Sequence, residues 1–121
     1  MAQLESQLRR LVASPLHTLD EAEEAPAGPG VFILSDADLS THYYIEACQT
    51  LRIGIGKVLR GERGSRGSSL KRDFAEHLGI SESRVPKYIK EHCVVRWQQL
   101  DEGAGPLAHF AIAVLKPVLN E

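Results

Sequence analysis

The chain lacks what small secreted, membrane-spanning and cysteine-ligated zinc proteins depend on. Only two cysteines are present, Cys48 and Cys93, far apart and without CxxC spacing. This argues against a disulfide framework and a cysteine zinc site, and both thiols read as small buried hydrophobes. Aromatic residues make up 6% of the chain, and Trp97 and Phe110 read as core side chains rather than base-stacking platforms. No run approaches the roughly 18 apolar residues that span a bilayer. At the N-terminus Leu4, Leu8 and Leu11 are separated by polar residues, so no apolar leader is expected and a cytoplasmic, reducing location is. Strong net charge is missing too. At −2 the molecule is no polycation, so affinity for nucleic acid has to come from local segregation of charge.

That segregation exists. Four of the five residues from Asp20 to Glu24 are acidic. From Arg52 to Arg72 there are seven Lys or Arg (Arg52, Lys57, Arg60, Arg63, Arg66, Lys71, Arg72) against one Glu62, a basic segment of the kind that contacts phosphates. With 121 residues and 43% hydrophobic content, the expectation is one small α+β domain with a real core.

Helical spacing of Leu4, Leu8 and Leu11 predicts a helix over 2–13, stopped at Ser14-Pro15. The acidic run and Pro26-Ala27-Gly28-Pro29-Gly30 read as a stiff connector without regular structure. The division is therefore 1–25, an N-terminal helix and acidic linker, and 26–121, the main domain. The helix is free to pack on the domain or to pair with a second copy. Val31–Leu34, Tyr43–Glu46 and Thr50–Gly56 read as strands, the last because Leu51, Ile53 and Ile55 alternate. They predict a small three-stranded antiparallel sheet flanked by helices. Residues 59–69 read by composition as a mobile loop. Ser68 or Ser69 caps a helix over 70–78 that Gly79 ends, and Ser81 caps a second one. Cys93–Trp97 adds an edge or final strand. A last helix over 106–115, apolar nearly all round, is expected to be central and stops before Pro117.

This order of strand, strand, helix, strand-like segment and buried helix resembles a GIY-YIG nuclease domain over roughly 28–120. Gly30-Val31-Phe32 looks like the first signature, with Phe32 where the family usually has tyrosine. The second fits either Tyr44-Ile45-Glu46 or Arg52-Ile53-Gly54. The latter is preferred because a glycine lets a helix or substrate approach the strand closely. Ser69–Leu78 resembles the family helix that carries an arginine and a histidine, here Arg72 and His77. The Leu115-Lys116-Pro117 to Asn120 ending is the most specific likeness. In the family the last helix carries a metal-binding glutamate about nine positions before the proline, and Ala108 stands at that place.

The resemblance implies metal-dependent phosphodiester hydrolysis, in which charge builds on phosphate oxygens and a cation, an arginine and a water-activating group are needed. Arg72, or else Arg66, would brace the phosphate, and His77 or Tyr44 would act near the water. Residue 108 would hold magnesium or manganese, which want oxygen ligands. With Ala108 that ligand is lost. The chain is expected to bind nucleic acid, DNA in preference to RNA, without holding the metal tightly, and to cut slowly or not at all. It reads as a binding-only relative or an inactivated variant. Lys57, Arg60, Arg63, Arg66 and Lys71 are the expected phosphate contacts, and no membrane partner is expected. The rival reading takes 73–90 as a helix-turn-helix of a DNA-binding regulator, against which Pro86 falls in the early part of its second helix.

Overall fold

The computed structural model describes residues 2–60 and 69–120. In chain order the elements are α1 (Ala2–Ala13), β1 (His17–Thr18), a 3-10 turn (Leu19–Glu24), β2 (Gly30–Asp36), β3 (His42–Cys48), α2 (Leu51–Leu59), α3 (Leu70–Leu78), a 3-10 turn (Glu82–Arg84), α4 (Val85–His92), β4 (Cys93–Gln99) and α5 (Ala104–Leu115). The α+β class holds, but the antiparallel sheet has four strands in the order β1-β4-β2-β3 rather than three. Strand β4 lies inside the sheet, between β1 and β2.

Strand β2 is buried on both faces, and this defines two layers. Phe32 and Leu34, with Tyr44 of β3, pack against Leu51, Ile55 and Val58 of α2, Leu70 and Phe74 of α3, and Val85 and Ile89 of α4. Val31 and Ile33, with Ile45 of β3, pack against Leu8 and Leu11 of α1 and Leu107, Ala108 and Ala111 of α5. The N-terminal helix therefore shares the second layer's core. Arg96 of β4 secures it by donating from its guanidinium to the carbonyl of Val12, near the end of α1.

Three expectations need correction. Residues 51–59 form a helix, because Leu51, Ile55 and Val58 recur at i, i+4 and i+7 and all are at most 1% exposed, whereas Ile53 is 57% exposed. The alternation of 51, 53 and 55 was too short to outweigh that stripe. Gly54 does allow close approach, but from within the helix: a Cβ there would lie 2.9 Å from Cys48 Sγ. The acidic run is not structureless. It coils as a 3-10 turn behind β1, with Leu19 and Ala25 buried at its ends. Finally, α5 is one-sided: Leu107, Ala108 and Ala111 are buried, while His109 and Val114 face solvent. Of the loop expected at 59–69, residues 61–68 lie outside the described residues.

The α3 boundaries agree with the capping signals. Ser69 Oγ accepts from the Arg72 N–H at 3.3 Å, and Gly79 closes the helix at φ 71°, a left-handed conformation that favours glycine. A register shift between Leu34 and Ser35 leaves Tyr43 as the extra residue opposite β2. This bulge lets two consecutive tyrosines, Tyr43 and Tyr44, enter the same layer.

The free edge of β3 is closed by the C-terminal tail. Val118 and Leu119 donate backbone N–H groups to the carbonyls of His42 and Tyr43 at 3.0 and 2.9 Å. Asn120 then acts as a substitute strand residue: its Oδ1 accepts from the Ile45 N–H and its Nδ2 donates to the Ile45 carbonyl, both at 2.8 Å. An amide has one donor side and one acceptor side, which is what a strand edge requires. Asn120→Ala strips both partners from Ile45, and urea unfolding should show a loss of about 1–3 kcal/mol; Asn120→Asp, with no donor, should fall below the unaltered chain as well.

Behind the bulge, His42 Nδ1 lies 3.0 Å from Oγ of buried Ser35. Burial, and then the positive charge of Arg96, push the His42 pKa below its usual 6.5. The folded state thus binds fewer protons than the unfolded chain just below that pH, and stability is full above it and falls on acidification. The melting temperature should drop between about pH 7.5 and 5.5, and His42→Asn should flatten that slope in a scan at fixed ionic strength.

Candidate nucleic-acid interface

The layer built on Phe32, Leu34 and Tyr44 carries most of the side chains singled out for function. Tyr44 is buried, and its hydroxyl donates to Glu46 Oε2 at 3.1 Å, two residues along the same face of β3. Its ring meets Phe32 with centroids 6.2 Å apart. Glu46 leads into a cleft of about 380 Å³ between the end of β3 and α2, lined also by Cys48, Thr50, Ile53, Gly54 and Lys57. Burial, with Glu46 adding to it, pushes the Cys48 thiol up to about 12. It stays protonated at neutral pH and serves as packing rather than as a nucleophile.

The helix at 51–59 also bears on the two segments compared with the second signature. Arg52-Ile53-Gly54 is helical, whereas Tyr44-Ile45-Glu46 lies on a strand paired with Gly30-Val31-Phe32, Phe32 opposite Glu46. Of the two segments, only Tyr44-Ile45-Glu46 lies on a strand. Sequence reasoning treated Glu46 only as an obstacle to a glycine; its place two residues after Tyr44 was the signal that both side chains share one face.

The described part of the basic segment is held at its two ends. Lys57 sits in the last turn of α2 and Arg60 just beyond, while Lys71 and Arg72 sit in the first turn of α3. Val58 and Leu70, beside them, are buried in the same cluster. Arg60 and Arg72 are exposed and Lys57 and Lys71 half-buried. Arg63 and Arg66 lie outside the described residues.

Other expected partners do not come together. His77 is exposed near the end of α3 and meets Tyr43 edge-on, with ring centroids 6.1 Å apart. Tyr43 packs on Phe74 at 4.9 Å, donates to Asp36 Oδ2 at 3.0 Å, and lies 3.3 Å from the Tyr88 hydroxyl. Burial first, and then those two hydrogen bonds, raise its pKa, so it remains a neutral phenol. Ala108 is in the opposite layer, 6% exposed among Leu8, Leu11, Val31, Ile33 and Ile45. The sheet separates it from α3, and the pocket expected to join residue 108 with Arg72 and His77 is not formed. His109, exposed on α5, points away from Ala108, as neighbouring helical positions do.

No protein-family model, curated protein or solved structure matches the chain.

The location of Ala108 yields a direct test. Ala108→Glu sets a carboxyl group among apolar side chains, where its charged form is strongly disfavoured. Urea unfolding should show a loss of about 2–4 kcal/mol, and a plasmid-nicking assay with magnesium should show no gain over the unaltered chain. A stable variant that nicks would return this position to a catalytic site.

Proposed function

We propose that this chain is a nucleic-acid-binding domain of the GIY-YIG nuclease type, one that holds a phosphodiester backbone and cleaves it slowly or not at all. The observation that carries the reading is the mounting of the basic segment. Its two ends are anchored by Val58 and Leu70 in one apolar cluster, so Lys57, Arg60, Lys71 and Arg72 stand at the packed ends of α2 and α3, with Lys57 in the lining of the Glu46 cleft. Phosphate contacts position a protein on nucleic acid and need no sequence readout. The amide groups at the start of α3 add positive potential in the same place.

Two features support the family. From β2 onward the elements follow the order strand, strand, helices, strand, helix, and Gly30-Val31-Phe32 pairs with the strand that carries Tyr44-Ile45-Glu46. Slow or absent cleavage is part of the proposal because Phe32 supplies no hydroxyl where the family has one, and Ala108, in the opposite layer, brings no oxygen ligand to the side that carries the basic residues. Magnesium or manganese would then have little hold at residue 108. DNA is the favoured partner over RNA.

A second reading keeps the α3–turn–α4 unit as a helix-turn-helix. In its favour, Pro86 falls in the first turn of α4, where proline is tolerated, and Arg84 and Lys87 are exposed. Against it, Lys90 is drawn to Asp20 at 3.2 Å and α4 is only Val85–His92.

Fluorescence anisotropy with duplex, single-stranded and branched DNA over a salt series tests both. Binding should weaken linearly in log salt, and Lys57→Ala and Lys71→Ala should each reduce the duplex slope by about 0.9. Salt-independent binding, no binding, or unchanged slopes in both variants would defeat the proposal. Protection of one short sequence, abolished by Arg84→Ala and Lys87→Ala but not by Lys57→Ala, would transfer it to the second reading.

A further inference from the structure

The acidic strap between α1 and β2 holds a group of side chains that nucleic-acid binding leaves unused. His17, Glu21 and Glu24 each present one ligand atom, and these atoms all lie within 4.8 Å of one another. His17 Nδ1 is 3.8 Å from Glu21 Oε1. Glu21 and Glu24 are one 3-10 turn apart on Leu19–Glu24, so their carboxylates share a side, and His17 at the end of β1 lies beside them.

The group is also restrained. The His17 backbone pairs with Val95 of β4, and its ring lies flat on Trp97, centroids 4.2 Å apart and planes within 9°. Glu21 Oε1 accepts from the Thr18 N–H at 3.0 Å and lies 3.4 Å from the Thr18 hydroxyl. A carboxylate has about four lone-pair sites, so these bonds leave it able to ligate. The His17 side chain is 21% exposed and that of Glu21 44%, which keeps the group reachable from solvent.

We propose that His17, Glu21 and Glu24 form a site for one first-row divalent cation, zinc by preference. One imidazole and two carboxylates make a mixed nitrogen and oxygen donor set that suits zinc and its neighbours. Magnesium wants oxygen alone and gives up its water reluctantly. Tetrahedral zinc with bonds near 2.0–2.2 Å sets its ligand atoms about 3.3 Å apart. The His17–Glu21 pair, at 3.8 Å, closes to that distance with a movement of about half an ångström. Glu24, exposed, swings in as the third ligand, and water takes the fourth position. Lys90 is held by Asp20 at 3.2 Å, and the rest of the acidic run raises the local concentration of cations. This site is independent of the nucleic-acid reading, and its test needs no nucleic acid.

Trp97 is the sole tryptophan and it stacks on a ligand, so its emission reports occupancy. Zinc chloride titrated into the full chain should give a saturable change in Trp97 fluorescence at one equivalent, with a rise in melting temperature; magnesium at the same concentrations should give neither. Glu24→Gln, which leaves the His17–Trp97 stack intact, should weaken zinc at least about tenfold, as should His17→Gln read by calorimetry. No saturable response, or affinities unchanged in both variants because other histidines or the thiols take the metal, would overturn the proposal.

Discussion

Val31, Phe32, Ile33 and Leu34 are each at most 1% exposed, and four consecutive buried apolar residues on a strand require covering on both faces. No single helix layer satisfies that demand. The chain meets it with α2, α3 and α4 on one face and α1 and α5 on the other. Every question about which residues can cooperate then reduces to which face of β2 they share. Tyr44, Lys57, Lys71 and Arg72 belong to elements of the first layer. Ala108 belongs to the second, on the other side of the sheet, in the apolar cluster of Leu8, Leu11, Val31, Ile33 and Ile45.

A sheet with a doubly buried centre still leaves two edges, which invite pairing with other chains. Here both are dressed by segments that look uninformative in isolation. His17 and Thr18 pair with Val95 and Val94 on the β4 side. On the β3 side the tail after Pro117 runs alongside, and Asn120 ends it with both of its amide groups on Ile45. Lys116 adopts a left-handed conformation at φ 50°, which turns the chain out of α5 and toward that edge. The specificity of the Lys116-Pro117 to Asn120 ending thus has a mechanical content: it stops a helix, reverses the chain and seals a strand.

Much of this was legible beforehand. Serine and glycine bracket α3 because capping chemistry is local, and the short window from Ser69 to Gly79 contains it. Strands β2 and β3 declared themselves through β-branched and aromatic runs, whereas the two-residue β1 did not. Residues 51–56 did not, because over so short a span Leu51, Ile53 and Ile55 satisfy a period of two while Leu51, Ile55 and Val58 satisfy 3.6. Only burial against Cys48 and Phe32 chooses between them. The bulge at Tyr43 was equally invisible, since strict alternation assigns consecutive residues to opposite faces. The acidic run misled for another reason. Its charges read as linker, yet flanking Leu19 and Ala25 are buried, and two apolar anchors are enough to dock a polar turn. As for the site, the basic ends of α2 and α3 could be placed from composition. The pairing of Phe32 with Glu46 and the opposing position of Ala108 could not, because both depend on long-range register.

The placement of charge along the helices supplies a further argument about where function resides. Glu5 in the first turn of α1 and Arg10 in its last complement that helix's dipole, as do Lys90 and His92 at the end of α4 and His77 at the end of α3. The starts of α2, α3 and α4 depart from this pattern: Arg52, then Lys71 and Arg72, and then Lys87 sit in first turns that are already positive. Each such residue costs about 0.3–1 kcal/mol at an exposed terminus, and in α3 Asp73 offsets only part of it. The rule holds at the start of α1 and at the ends of α1, α3 and α4 and fails at the starts of α2, α3 and α4, so those three starts carry more positive potential than helix stability asks for. An anion shared between the α3 amides, Lys71 and Arg72 would relieve the conflict at α3, and a phosphate backbone crossing the base of the basic segment presents such an anion at every nucleotide.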